Sequence, residues 1–304
     1  MVARVSATIS VANLRKSYGS TVAVGGVSFV VEQGEFFGIL GPNGAGKTTT
    51  LEMLEGLREP DAGELSVLGL PPWPRNPALL PRIGVQLQSS SFFERLTTRE
   101  QIRTFASLYG VSARRADEML GVVGLDEQAD TKTEQLSGGQ AQRLSIACAL
   151  VHNPELVFMD EPTGALDPAA RRNLWDLLRR INADGRTVVL TTHHMDEAET
   201  LCDRVAIMDH GVILRLGAPA TLVRDLDSPV RISIESGLFA TSDARGITAG
   251  ADVSDDGVSL TIATRDPAPV LAWLATRHAL AGLRVQGATL EDVFLTLTGR
   301  EYRA

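Results

Sequence analysis

The segment that most constrains this chain is GPNGAGKT, residues 41–48, which fits the spacing G-x-x-x-x-G-K-[ST]. The apolar run before it predicts a buried strand, and the leucine spacing after it predicts a helix. Glycines in such a turn let backbone N–H groups point at one anion, and the helix adds the positive end of its dipole. The pattern predicts a loop that cradles phosphates, with Lys47 reaching the terminal phosphates and the Thr48 hydroxyl able to ligate Mg²⁺.

Apolar runs and helical patterns alternate through the first two thirds of the chain. Buried strands are predicted for EFFGIL (35–40), ELVFMD (155–160), TVVLTT (187–192) and RVAIMD (204–209). Alternation of strands and helices predicts a mostly parallel sheet covered on both faces. In the helical stretch 97–124, the positions that we expect to be buried are Ile102, Phe105, Leu108, Met119 and Leu120.

The pattern changes after about residue 219. PVRISIES and GVSLTIATR alternate as strands with one exposed face do, and an Ala- and Leu-rich helical stretch, APVLAWLATRHAL, follows. We therefore predict an α/β domain over 1–218, with a helical subdomain at about 89–152. A small α+β accessory domain is predicted over 219–304.

Composition argues against several classes of protein. The 304 residues carry 29 basic and 37 acidic side chains, a formal charge of −8, which argues against a nucleic-acid binder with a broad basic surface. Two cysteines cannot build a disulfide framework or a zinc site. No run approaches the ~18 consecutive apolar residues of a membrane span, and the N-terminus lacks a signal-peptide layout. We expect a cytoplasmic protein whose contact with a membrane depends on a partner.

The strand LVFMD ends in two acidic residues, Asp160 and Glu161. By itself, such a pair often marks only the end of a strand. Beside a phosphate loop, the first carboxylate can hold Mg²⁺ through water, and the second can face the attacking water.

The segment LSGGQ, residues 136–140, stands at the predicted start of a helix. Ser137 can simply cap this helix. A serine and two glycines at a helix N-terminus also form a second anion site. One nucleotide does not need two such sites unless they come from different chains, which points to a site shared by two copies.

Taken together, GPNGAGKTT, LSGGQ, LVFMDEPT and TTHHMDEAE resemble the ATP-binding cassette (ABC) family, in particular the nucleotide-binding subunit of a transporter. The resemblance covers about residues 7–218. It implies an α/β P-loop NTPase fold with a helical signature subdomain. It also implies ATP hydrolysis with Mg²⁺, a homodimer that closes around two ATP molecules, and a separate integral-membrane permease.

The resemblance assigns roles to single residues. Tyr18 resembles the aromatic residue that stacks on adenine. Gln88 resembles the glutamine that senses Mg²⁺ and the attacking water and faces the permease, with Gln86 as a nearby competitor. Asp167 is similar to the acid of the loop that crosses the dimer interface, and His193 to the histidine that contacts the γ-phosphate.

Three sets of residues follow from this resemblance. The implied catalytic residues are Lys47, Gln88, Glu161 and His193. The implied metal-binding residues are Thr48, Gln88 and Asp160. The implied ATP-contacting residues are Tyr18, Gly41, Pro42, Asn43, Gly44, Ala45, Gly46, Lys47, Thr48, Thr49, Ser137, Gly138, Gly139, Gln140 and Asp167.

The C-terminal stretch LEDVFLTLTGR resembles the tail of daunorubicin-resistance-type export ATPases. Its apolar positions also have the spacing of a terminal helix that packs on the small domain; they are Leu290, Val293, Phe294 and Leu297. We interpret the chain as the ATPase subunit that powers export of a hydrophobic, drug- or antibiotic-like compound. It would lie on the inner face of the cell membrane through the permease.

Two other interpretations remain open. An importer subunit, or an exporter of lipid, polysaccharide or ion, keeps the same chemistry and changes only the cargo. A soluble ABC ATPase acting on ribosomes or DNA belongs to a different class. Three features argue against this soluble class: the chain has one cassette, its net charge is negative, and only 88 residues separate Lys47 from Leu136. The short separation leaves no room for a long inserted coiled coil.

Overall fold

The structure is a computed structural model, and it describes residues 7–87, 92–164, 166–247 and 251–299. The chain divides into two compact units between Pro219 and Ala220. The strands of the first unit are β1 (Ala7–Tyr18), β2 (Thr21–Glu32), β3 (Phe36–Leu40), β4 (Ala62–Val67), β5 (Ile83–Gln86), β6 (Leu156–Asp160), β7 (Thr187–Thr192), β8 (Arg204–Asp209) and β9 (Val212–Gly217). Its helices are α1 (Lys47–Leu54), α2 (Thr98–Leu108), α3 (Ala113–Val123), α4 (Gly138–Leu150), α5 (Pro168–Ala183) and α6 (Met195–Leu201).

The main sheet of the first unit has six strands in the order β5-β6-β7-β3-β8-β9. Its neighbours are parallel except β8 and β9, which are antiparallel. The central strands β3, β6 and β7 are buried along their whole length. Because parallel strands end at the same side of a sheet, the residues that follow β3, β6 and β7 meet there. The predicted α/β fold with a mostly parallel sheet is confirmed.

A second sheet of three antiparallel strands, β2-β1-β4, contributes to the same core. Sequence analysis did not predict the long β1–β2 pair, although each strand has twelve residues. The pairing of β1 with β2 shifts register at several places, and such irregularities interrupt the alternation that reveals a strand. The stacked rings of Phe29 and Phe37, with centroids 5.3 Å apart, join β2 to β3.

The predicted helical stretch 97–124 forms two separate helices, α2 and α3. Ile102, Met119 and Leu120 are buried as predicted, and Phe105 is half-buried. The prediction for Leu108 is wrong, because its side chain is 72% exposed. Six residues at 100° each place Leu108 about 240° around the helix from Ile102, outside the buried stripe.

The second unit contains an antiparallel sheet of four strands in the order β11-β12-β10-β13. Its elements, with a helix that begins at the division, are α7 (Pro219–Asp225), β10 (Val230–Glu235), α8 (Thr241–Arg245), β11 (Asp252–Asp255), β12 (Ser259–Thr264), α9 (Pro267–Thr276), β13 (Arg284–Gln286) and α10 (Leu290–Thr298). Its core includes Ile232 and Ile262, which are cross-strand partners, together with Val270 and Leu274 of α9.

The apolar stripe of α10 is mostly buried. Leu290, Val293 and Phe294 are buried, and Leu297 is half-buried. Across the described residues, no helix combines the length and the apolar character needed to cross a membrane.

Candidate functional site

The glycine-rich loop connects β3 to α1 and touches two other segments. A Cβ atom on Gly41 would lie 2.1 Å from the Met208 carbonyl oxygen, and one on Gly46 would lie 2.3 Å from the Ala23 carbonyl oxygen. Gly46 also caps α1 with a left-handed φ of 100°. Only glycine fits at these two positions. The loop can therefore pack against the neighbouring backbone and present its N–H groups to an anion only with glycine at 41 and 46.

Lys47, the first residue of α1, is only 4% exposed. Its Nζ donates to the Gly41 carbonyl at 2.9 Å and the Pro42 carbonyl at 3.2 Å, and lies 3.1 Å from Glu161 Oε1. The ammonium therefore lies at the mouth of the loop, where a phosphate held by the loop would contact it.

Asp160, the last residue of β6, is a buried carboxylate with two hydroxyl donors. Thr48 Oγ1 lies 3.1 Å from Asp160 Oδ2, and Thr191 Oγ1 donates to Oδ1. Burial raises the pKa of Asp160, against the lowering effect of these hydroxyls. Carboxylate and hydroxyl oxygens are the hard ligands that suit Mg²⁺, so the donor set fits this ion.

Glu161 follows β6 in the left-handed region, with φ 46°. Its backbone N–H donates to the carbonyl and the hydroxyl of Thr191, each at 3.1 Å, which fixes this unusual conformation. Burial disfavours the charged form, but Lys47 and His193 outweigh it and hold the pKa of Glu161 below its usual value. The carboxylate is therefore ionised near neutral pH and can act as a base.

His193 follows β7 directly, and its Nδ1 lies 3.2 Å from Glu161 Oε2. Glu161 thus contacts Lys47 with one oxygen and His193 with the other. The structure brings together five predicted residues that come from three separate segments of the sequence: Lys47, Thr48, Asp160, Glu161 and His193.

The segment LSGGQ (136–140), called the signature below, lies at the start of α4, as predicted. Ser137 Oγ accepts from the Gln140 N–H at 3.3 Å, and Gln140 Oε1 accepts from the Ser137 N–H at 2.9 Å. Ser137 and Gly138 are exposed, and a Cβ on Gly138 would meet open space. Within the described residues, no hydrogen bond or ion pair joins 137–140 to the phosphate loop.

Two other predicted residues, Asp167 and Tyr18, have contacts of their own. Asp167 caps α5 by accepting from the Ala169 and Ala170 N–H groups at 2.9 and 3.0 Å. Tyr18, at the end of β1, is 42% exposed, and the Arg58 guanidinium lies 5.2 Å from the centre of its ring.

The prediction for Gln88 falls outside the described residues. Its competitor Gln86 ends β5 and is buried, with its amide donating to the Leu87 carbonyl. The remaining predicted residues of the phosphate loop range from buried to exposed; they are Pro42, Asn43, Gly44, Ala45 and Thr49.

Sequence reasoning missed Thr191, which contacts both Asp160 and Glu161. The available signal was the pair of threonines in the otherwise apolar run TVVLTT, because buried hydroxyls need partners. It also missed Glu197, a buried carboxyl group one turn beyond His193.

Comparison with known proteins places these motifs in a family. The family model described as "ABC transporter" matches residues 24–164. The Nod factor export ATP-binding protein I of Rhizobium sp. (strain N33) is 42% identical over 301 residues, covering 96% of this chain and 97% of that protein. The protein of the same name from Ralstonia nicotianae (strain ATCC BAA-1114 / GMI1000) is 39% identical, with coverage of 97% and 95%.

Solved structures agree with this assignment. A dimeric structure of a bacterial ABC transporter cassette is 31% identical with a TM-score of 0.63, over 69% of this chain and 98% of that one. The cbiO1 protein from Clostridium perfringens, part of the transporter complex cbiONQ, is 27% identical with a TM-score of 0.65, over 73% and 94%. The chain therefore belongs to the ATP-binding subunits of ABC transporters, and it is an ATPase with the cassette fold.

Proposed function

We propose that this chain powers an ABC exporter, with two copies hydrolysing ATP to drive a hydrophobic, drug- or antibiotic-like compound through a separate membrane permease. The observation that carries the hydrolytic role is the contact of Glu161 with both Lys47 and His193 at the end of the parallel sheet. The names of the relatives support export, because they are Nod factor export proteins that align over both units of this chain.

Binding of ATP would rearrange the ion pair of Lys47. The terminal phosphates carry more negative charge than one carboxylate, and the loop N–H groups hold them beside the Lys47 ammonium. We expect Lys47 to turn to these phosphates and Glu161 to accept a hydrogen bond from the attacking water. His193, on the other oxygen of Glu161, then contacts the γ-phosphate and keeps the carboxylate directed at the water.

Thr48 and Asp160 are the residues that would hold Mg²⁺, with a hydroxyl and a carboxylate oxygen. An ion held there would neutralise negative charge on the phosphates of ATP. Thr191 keeps Asp160 in place by donating to it, and burial of this carboxylate strengthens its attraction for a cation. We propose Gln88 as a third residue that would contact Mg²⁺.

The second copy would supply its own Ser137 to Gln140 to the γ-phosphate. Two features support this: the exposed start of α4, and the open space around Gly138. Asp167, which is exposed at the start of α5, would lie at the interface between the copies. Closure of the two copies would exclude water and align the phosphate, so that positioning and charge neutralisation supply most of the catalysis.

An apolar groove is our proposed contact with the permease. Its volume is about 260 Å³, and its walls include the exposed side chains of Leu57, Leu87 and Tyr109. Two buried atoms of its lining, Glu55 Oε1 and His152 Nδ1, have no hydrogen-bond partner in the described part of the chain.

His152 Nδ1 is an acceptor, and Glu55 Oε1 is one when its carboxyl group is ionised. The His152 Nε2 donates to the Ile83 carbonyl at 2.8 Å, so Nδ1 carries the lone pair. An unsatisfied acceptor in an apolar groove is stabilised by a donor from a partner. We therefore expect the permease segment in this groove to present apolar side chains and one basic side chain, which pairs with Glu55.

The test is reconstitution. The tagged chain is expected to copurify with an integral-membrane protein. The pair in inverted vesicles is expected to accumulate a lipophilic cargo only with ATP, and not when the ATPase subunit carries Glu161→Gln. Copurification with ribosomes, without any membrane protein, would instead support the soluble alternative.

A further inference from the structure

Glu197 of α6 is a carboxyl group that the reaction scheme above does not use. It is 0% exposed, and burial raises the pKa of its carboxyl group. Its Oε1 accepts from Thr163 Oγ1 at 2.9 Å and from Trp175 Nε1 at 3.1 Å. Burying a carboxyl group costs free energy unless hydrogen bonds compensate for the lost water. The groups that donate to Glu197 therefore indicate which parts of the fold it stabilises.

The Thr163 donor belongs to the loop that carries Glu161. Within this loop, the Gly164 N–H donates to the Glu161 carbonyl at 3.2 Å, and the Leu166 N–H donates to the Thr163 carbonyl at 3.1 Å. These consecutive turns fix Thr163 relative to Glu161. A bond to Thr163 therefore holds the position of the Glu161 backbone as well.

The Glu197 side of the contact is linked to His193. The helix α6 begins at Met195, with His194 as its N-cap, and the Ala198 N–H donates to the His194 carbonyl at 3.3 Å. A shift of α6 would therefore carry His193 with it. Trp175 adds α5 to the same junction, so one carboxylate oxygen joins three elements.

If Glu197 only filled space in the core, an apolar residue could take its place. Apolar residues often replace buried polar groups without loss of stability, because they avoid the cost of desolvation. What leucine cannot supply is a directional acceptor for a hydroxyl on one segment and an indole N–H on another. The carboxyl group therefore fixes the positions of the segments that carry Thr163, Trp175 and Glu197 relative to one another.

We propose that Glu197 is a positioning residue for ATP hydrolysis, holding the Glu161 loop and the His193 segment at a fixed separation. The γ-phosphate and the attacking water must contact both of these segments at the same time, and displacements near 1 Å reduce catalysis strongly. This inference rests on the arrangement of Glu161 and His193 proposed above.

The test compares Glu197→Leu with Glu197→Gln in the full chain. We expect kcat to fall by about 10- to 100-fold in Glu197→Leu, with the affinity for ATP changed less than about twofold. Glu197→Gln keeps the Oε1 acceptor, and we expect it to restore most of kcat. A merely structural role predicts that thermal stability, ATP affinity and kcat all fall together in Glu197→Leu.

Removing the donors provides an independent test if Glu197→Leu does not fold. Thr163→Val and Trp175→Phe each remove one donor and keep most of the volume, so we expect kcat to fall with KM nearly unchanged. Trp273→Phe, the same change in the second unit, is the matched control. The proposal is overturned if folded Glu197→Leu keeps its kcat, or if both donor variants do. Loss of turnover in Glu161→Gln but not in these variants would leave the proposed function standing and remove this inference alone.

Discussion

The Nζ atom of Lys47 lies 3.1 Å from Glu161 Oε1; the Lys47 side chain is 4% exposed and that of Glu161 is 9% exposed. Lys47 reaches this position from the phosphate loop, whereas Glu161 follows β6, a strand from a distant part of the sequence. The same cation that would bind phosphate therefore also keeps the Glu161 carboxylate ionised. Because the phosphates and the carboxylate compete for this cation, nucleotide binding and activation of water are linked through it.

The first prediction concerns Glu161→Gln. This change keeps shape and hydrogen bonding but removes the carboxylate that polarises water. We expect ATP binding to survive while kcat falls by about 10²-fold or more. An ATP-bound dimer should accumulate on size exclusion. The exposed Glu127→Gln is the matched control, and hydrolysis near the wild-type rate by Glu161→Gln would refute its role as base.

The second prediction concerns the shared site. Lys47→Ala and Ser137→Arg subunits should each be inactive alone. A mixture can form one intact site per heterodimer, with the signature of the first chain and the phosphate loop of the second. We expect partial recovery of ATPase activity that depends on total protein concentration. Turnover that is independent of concentration and unaffected by Ser137→Arg would exclude a shared site.

The third prediction concerns Glu55. Burial raises the pKa of its carboxyl group from 4.5 to about 8. Between these pH values the folded state keeps a proton that the unfolded state has lost, so the stability from this group declines as pH rises. The decline is at most about 1.4 kcal/mol per pH unit.

Glu55→Gln removes this dependence. We expect the difference in the free energy of unfolding, variant minus wild type, to grow from pH 4.5 to pH 8 and then level off. Urea unfolding at several pH values measures it, with Glu127→Gln as the control. A difference that is constant across this range would mean that Glu55 is not buried in solution.

The fourth prediction concerns the second unit. Every predicted phosphate-contacting residue lies before residue 219. We therefore expect a chain that ends at Pro219 to bind ATP with nearly unchanged affinity, while dimer stability or recovery with the permease decreases. Isothermal titration compared with copurification separates these two effects. A folded cassette that has lost its affinity for ATP would show that the second unit contributes to the nucleotide site.

The individual elements show where sequence patterns were sufficient. The buried strands β6, β7 and β8 were predicted almost to the residue, because a short continuous apolar run between polar residues is typical of a strand inside a parallel sheet. The β1–β2 pair was missed because its shifts in register break the alternation. Leu108 was assigned to the core from the helical pattern of apolar residues, but its angular position on α2 directs it to solvent.

The fold class and the chemical groups of the candidate site follow from the amino-acid sequence alone. Glycines at fixed spacing, a lysine, and paired acids after an apolar strand specify a phosphate loop and its partners through local geometry alone. Which of these groups touch became visible only in the folded chain: Thr191 contacts Asp160, His193 contacts Glu161, and Glu197 contacts Thr163. These contacts join residues that lie about 30 positions apart on neighbouring strands and the segments after them, so they depend on strand order and register, which no local pattern encodes.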